Sequence, residues 1–146
     1  MAGISVDKEG SKIHQMEYRV IYGDTDCAGV VYYANYLRFF EAARSEMLRA
    51  CGTPNKDLEA QGYILPVVEC KARYKASARY DDLLIVETSI QDVKKMSCRF
   101  NYRIIRIEDQ KLLVKGHTIH ACVDLKGKLI RLPDYFLENL KQLAAG

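Results

Sequence analysis

Between Tyr33 and Cys51 the apolar residues Tyr33, Leu37, Phe40, Ala43, Met47 and Cys51 recur at steps of three and four, while Arg38, Glu41, Ser45 and Arg49 fall largely elsewhere around the wheel. That spacing predicts an amphipathic helix of about five turns. Gly52 followed by Pro54 marks its end, because glycine closes a helix and proline cannot continue it. Before it, Met16 to Tyr22 is β-branched and aromatic and stops at Gly23-Asp24, which reads as a strand and a turn. After a short helical connector over Asn55 to Pro66 the period changes to two. Val68, Cys70, Ala72, Tyr74 and Ala76 alternate with Glu69, Lys71, Arg73 and Lys75; Leu84, Val86, Thr88 and Ile90 share one face, as do Cys98, Phe100, Tyr102 and Ile104. Glu108-Asp109-Gln110 make a turn, a long strand runs from about Leu112 to Leu125, Gly127 turns the chain, and Phe136, Leu140 and Leu143 form the apolar side of a short last helix.

One strand, one long helix and then about four strands with short connections predict an antiparallel α+β fold. Each strand has one apolar face, and the long helix is the element available to cover it. A sheet of about five strands curled round one central helix fits this order. The 146 residues suit one domain with one core. The first dozen or so residues are expected to fray, which gives a flexible tail over 1–15 and a single domain over 16–146.

Composition narrows the function classes. With 49% hydrophobic and 28% charged residues the chain reads as an ordinary globule. A net charge of +3 is too small to imply nucleic acid but leaves room for a small anionic ligand. No apolar run is long enough to cross a bilayer, so membrane insertion is not expected, and the opening segment has no apolar signal-peptide centre. A cytoplasmic placement follows. The five cysteines, at 27, 51, 70, 98 and 122, form no C-x-x-C pair and read as reduced packing residues rather than a metal site.

The familiar catalytic motifs built on Ser, Lys or paired His are absent. His117 and His120 are three apart on an expected strand and so point to opposite faces. What remains is Tyr22 to Leu48, "YGDTDCAGVVYYANYLRFFEAARSEML". Asp24 and Asp26 sit between a strand and a helix, with Gly29 free to adopt unusual backbone angles. Two readings of the acids stay open. Both can bond their own backbone as turn formers. Alternatively, a carboxylate beside the unpaired N–H groups of a helix start can serve acyl transfer, the acid attacking or activating water and the amides holding an oxyanion.

This stretch, with its acidic pair, its A-G-V-V run and its Asn-Tyr at the helix start, resembles the motif of the hot-dog-fold thioesterases of the 4-hydroxybenzoyl-CoA thioesterase family, including acyl-CoA thioesterases associated with the Tol-Pal system. "YDDLLIVETSI", from Tyr80, is a second matching block. The resemblance runs from about Glu17 to near the end of the chain. It implies a hot-dog fold and a thioesterase acting on an acyl-CoA or aroyl-CoA, with Asp26 as nucleophile or general base and the backbone N–H of Tyr33 against the thioester carbonyl. Asp24 shapes the loop. Gly29 and Val30 lie against the substrate, and Lys94 and Lys95 meet the CoA phosphates, although Met96 takes a place that is basic in the hydroxybenzoyl branch. Coenzyme A is part of the substrate, and no other cofactor or metal is implied. The family's site lies between subunits, which implies a homodimer or homotetramer.

Tyr33 stands where the Tol-Pal-associated branch often carries His. A phenol, titrating near about 10, is a poor base at neutral pH, so proton handling falls to Asp26 and water. Dehydratases of the same fold use a His absent from this segment. A different class remains as the alternative: a non-catalytic acyl-thioester-binding protein, or an interaction protein of an envelope complex. Lys71, Arg73 and Lys75 read as a solvated strand face, and Gly116 as a bulge or close backbone approach.

Overall fold

The computed structural model describes residues 3–6 and 10–144. Six strands form one antiparallel sheet: β1 (Gly3–Val6), β2 (Lys12–Arg19), β3 (Val67–Tyr74), β4 (Leu83–Gln91), β5 (Ser97–Arg106) and β6 (Lys111–Ala121), in the spatial order β1-β2-β4-β5-β6-β3. Helices α1 (Asn35–Ala50), α2 (Asn55–Ala60) and α3 (Asp134–Ala144) complete the fold. Among the described residues no helix is long and apolar enough to cross a membrane. Within the span expected to be a tail, Gly3–Val6 pairs with β2, and β2 itself begins at Lys12 rather than Met16. Residues 1–2 and 7–9 of that span, and the last two residues of the expected domain, lie outside the described residues.

The period-two reading holds on the inner strands. Leu84, Val86, Thr88 and Ile90 of β4 and Cys98, Phe100, Tyr102 and Ile104 of β5 are all buried. They meet α1, whose buried face is Tyr36, Phe39, Phe40, Ala43, Met47 and Leu48. This corrects the expected stripe. Tyr33 precedes the helix and is 61% exposed, and Leu37 is 40% exposed. Steps of three and four fit either stripe equally, and the residues that differ settle the choice: Phe39 packs on the Tyr18 ring, centroids 4.5 Å apart, and Tyr36 Oη accepts the Ala78 N–H at 2.9 Å. The helix ends as expected. Gly52 takes φ +80°, Thr53 N–H donates to the Leu48 carbonyl at 3.0 Å and Gly52 N–H to that of Arg49 at 3.1 Å, the paired bonds of a Schellman close.

β3 departs from its pattern. Its partner is β6 on one side only, and Val67, Val68, Cys70 and Tyr74 are exposed. Alternation predicted which side chains share a face, but at the sheet edge α1 covers that face only in part: the Tyr74 ring lies 5.6 Å from that of Tyr36, yet Val68, Cys70 and Tyr74 stay exposed. Gly116 of β6 marks a close approach: a Cβ there would sit 2.3 Å from the Lys71 carbonyl oxygen and 3.0 Å from the Phe40 ring.

His117 and His120 do take opposite faces, His117 meeting Glu69 at 2.7 Å and His120 being 1% exposed. His120 Nδ1 lies 3.0 Å from the Leu65 carbonyl, its Nε2 2.8 Å from Thr118 Oγ1, and Thr118 Oγ1 2.6 Å from Tyr102 Oη. A carbonyl only accepts, so Nδ1 carries the proton, Thr118 donates to Nε2 and Tyr102 donates to Thr118. A second proton on Nε2 would force both hydroxyls to reverse and would place a charge in the core. Burial, against the Leu65 bond and with help from Arg44, lowers the His120 pKa to about 4. The folded state therefore binds less proton than the unfolded one, and stability falls as pH drops from about 6.5 towards 4. Acid unfolding curves should show roughly 3 kcal/mol of loss over that window, largely absent in His120→Gln; equal slopes for both proteins would refute it.

Candidate active site

Between β2 and α1 the chain folds back on itself, held first by backbone bonds. Asp26 N–H donates to the Val30 carbonyl at 2.9 Å, Thr25 bridges Val31, and Tyr32 N–H donates to the Asp24 carbonyl at 2.9 Å. Gly29, at φ +81°, makes the tight end of this small hairpin, a conformation costly for any residue with a Cβ. Its N–H returns to the Asp26 carbonyl at 3.0 Å. Val31 N–H donates to the Ala78 carbonyl at 2.9 Å, and Val30 bridges Arg79, which anchors the loop to the segment before β4.

The two acids have different environments. Asp24 is 2% exposed, and its Oδ2 accepts the Tyr18 hydroxyl at 2.7 Å and the Ile21 N–H at 2.9 Å. Burial, then the bond to Asp24, pushes the Tyr18 phenol up to about 12, so Tyr18 stays a donor at any physiological pH. Asn35 Nδ2 donates to the Asp24 carbonyl at 2.9 Å, so this amide side chain ties the loop to the helix and does not cap it. Asp24 is thus consumed by structure. Asp26 is exposed. Its Oδ1 accepts the Ala28 N–H at 2.9 Å, and among the described residues its Oδ2 has no partner.

α1 begins at Asn35 with no side chain capping it. Around its start, Tyr32, Asn35, Tyr36 and Leu37 all donate their N–H groups within the chain. Tyr33 and Ala34 do not: among the described residues nothing accepts from either amide. These free donors sit at the positive end of the helix dipole. Tyr33 is held by its carbonyl, which accepts the Tyr74 hydroxyl at 3.2 Å. The loop therefore presents an exposed carboxylate and, at the helix entrance, free amides suited to developing negative charge.

Asp26, Gly29, Val30 and Tyr33 come together on this loop. Lys94 and Lys95 do not join them within one chain. They are exposed in the connection from β4 to β5, where Lys94 N–H donates to the Ser97 carbonyl at 2.8 Å. The loop instead packs at the start of β4, and β4 is nine residues long, roughly 30 Å at about 3.3 Å per residue. Two residues near the site escaped the sequence reading: Tyr74 steadies Tyr33, and Arg79 Nη1 would lie 3.8 Å from a Cβ on Gly29. Tyr36 belongs to the core, and its Oη accepts the Ala78 N–H at 2.9 Å. Alternation places Tyr74 on the helix-facing side of its strand, which was its one available signal; Arg79 had none.

A family model described as the thioesterase-like superfamily matches residues 20–140. An acyl-CoA thioesterase, YbgC, of Haemophilus influenzae is 44% identical over 112 residues, 76% of this chain and 80% of that protein. The 4-hydroxybenzoyl-CoA thioesterase of a Pseudomonas species is 30% identical over 122 residues, 80% and 86% of the two chains. The crystal structure of a 1,4-dihydroxy-2-naphthoyl-CoA thioesterase from Synechocystis superposes with a TM-score of 0.83 at 26% identity, over 90% of this chain and 97% of that one.

Proposed function

Because the chain belongs to the thioesterase-like superfamily and is a thioester hydrolase of the hot-dog fold, we propose that it cleaves acyl-CoA or aroyl-CoA with Asp26 as nucleophile or general base and the Tyr33 N–H as oxyanion donor. The observation that carries this reading is the pairing, on one backbone-braced loop, of an exposed carboxylate with an unpartnered amide at a helix start. As a base, Asp26 takes a proton from water while the water oxygen bonds to the carbonyl carbon. As a nucleophile, its own oxygen makes that bond, giving an anhydride that water then opens. In both routes the C–S bond breaks, coenzyme A leaves as thiolate and takes a proton, and the carbonyl oxygen bears negative charge on the way. One aligned amide at that oxygen contributes roughly 3 kcal/mol to the transition state.

The identity to an acyl-CoA thioesterase is higher than that to the hydroxybenzoyl-CoA enzyme, which favours an acyl substrate over an aromatic one. The working unit in this reading is a homodimer or a homotetramer. β3 leaves one side of its backbone unpaired beside the exposed Val67, Val68 and Tyr74, and such an edge pairs readily with a second copy. Lys94 and Lys95 lie far from their own Asp26, so their place on the CoA phosphates belongs to a site shared between copies. All five cysteines are unpaired thiols, which suits a reducing compartment such as the cytoplasm.

Thiol release from short, long and aromatic acyl-CoAs tests the reading. We expect turnover of at least one class well above spontaneous hydrolysis, with aliphatic chains ahead. Tight binding of the same thioesters with no thiol release would identify the non-catalytic alternative instead.

A further inference from the structure

The sheet face turned away from α1 carries an arrangement that thioester hydrolysis does not use. Arg73 of β3, Lys115 of β6 and Arg103 of β5 lie directly opposite one another in register, three like charges in a row on strands about 4.8 Å apart. Like charges placed opposite each other across strands are destabilising. Only Arg103 is relieved, by Glu87 at 3.0 Å. Among the described residues Lys71, Arg73, Lys75 and Lys115 have no carboxylate partner. The one neighbouring imidazole, His117, is itself engaged by Glu69.

The row is also concave. These side chains line a cleft of about 720 Å³ in which Lys71, Arg73, Lys75, Arg99, Arg103 and Lys115 face a single lining carboxylate, Glu87. Ser89 adds an uncharged donor to the lining. The volume lies within the range of small-molecule sites.

We propose that this cleft binds a small polyphosphate anion of the nucleoside di- or triphosphate class, its linked phosphates running along the Arg73–Lys115–Arg103 row. A chain of phosphates can meet three adjacent cations at once, and Arg adds paired donors suited to phosphate oxygens. The lining speaks against larger anions. Tyr102 spends its ring face on Phe40 inside the core, which leaves no aromatic platform for single-stranded nucleic acid. Ile13 is the only aliphatic side chain in the lining, too little to enter a lipid surface. The same chemistry exists in a free nucleotide and in the diphosphate of coenzyme A, and none of Asp26, Gly29, Val30 and Tyr33 lines the cleft.

Calorimetric titration of the full chain with inorganic pyrophosphate and with ATP, at about 10 mM ionic strength where charges act over about 30 Å, tests this. Saturable binding by the parent is expected, weakened at least tenfold in Arg73→Thr/Lys115→Thr and falling steeply with added salt. The double variant should unfold at a higher temperature than the ligand-free parent, because the repulsion is gone, so lost binding is not lost folding. If the KM for acyl-CoA rises in the double variant while kcat holds, coenzyme A is the source of the phosphates; if both hold, a separate nucleotide is. Absence of saturable pyrophosphate and ATP binding by the parent would overturn the proposal, as would equal affinity in the double variant. Retention on duplex DNA or anionic vesicles without nucleotide binding would also overturn it.

Discussion

Asp26→Asn is expected to lower the kcat of thioester cleavage by roughly 10²- to 10⁴-fold, the range spanned by a positioned proton-transfer group, while leaving the fold and the KM for acyl-CoA nearly unchanged. The exchange is close to isosteric. The amide oxygen still accepts the Ala28 N–H that Asp26 Oδ1 accepts now, and the loop is held by main-chain bonds and by Asp24 rather than by this side chain. What disappears is the negative charge, and an amide neither takes a proton from water nor attacks a carbonyl. Rate and midpoint separate this role from a structural one. A variant that keeps more than about a tenth of the parent rate at an unchanged unfolding temperature would remove Asp26 from the chemistry. One that loses rate and stability together would make it a loop former, the reading under which its bond to Ala28 is its whole purpose. Hydroxylamine trapping of an acyl group on the parent during turnover would then choose nucleophile over base.

The largest stability effect is expected at Gly116. Its missing side chain is a point of contact between three elements: β6 carries it, the Lys71 carbonyl of β3 stands 2.3 Å from where a Cβ would be, and the Phe40 ring of α1 stands 3.0 Å away. The carbonyl belongs to the β3–β6 ladder and the ring to the Phe40–Tyr102 stack, so neither yields cheaply. Gly116→Ala should therefore cost roughly 3 kcal/mol or more, at the upper end of overpacking, or about 10 °C in midpoint for a chain of this length. Gly3→Ala, where a Cβ meets nothing within 4 Å, should change stability by less than about 0.5 kcal/mol. Equal midpoints for the two variants would show that β3 can shift away, and the packing described for the sheet would be wrong there.

The inner strands and the C-terminal end of the long helix were legible in the sequence because each rests on local rules. Alternation at Leu84–Ile90 and Cys98–Ile104 requires only one buried face, and the pair Gly52 and Pro54 acts within a single turn. Registration of α1 was not legible. Tyr33, Leu37 and Cys51 satisfy the same periodicity as Tyr36, Phe39 and Leu48, and only the partners across the interface, Tyr18 beside Phe39 and Ala78 beside Tyr36, choose between them. Exposure of β3 was hidden for a related reason, since its place at the sheet edge depends on strand order and not on its own residues. The acids of the loop were visible as a pair, yet their division of labour depends on Tyr18, a residue from the preceding strand. Tyr33 was marked for its amide by family resemblance. The absence of an acceptor for that amide, and for Ala34, is a property of how the chain turns into α1 and has no signature in residue types.

The small hairpin before α1 has one more implication. Since main-chain bonds and a buried carboxylate fix its shape, the outward side chains of Cys27, Ala28 and Tyr32 contribute little to holding it. In the proposed thioesterase site, exchanges at these places would reshape what surrounds an incoming acyl group while Asp26 and the Tyr33 amide keep their positions. A scaffold arranged in this way can drift from one thioester to another by single replacements, each stage still folded and active.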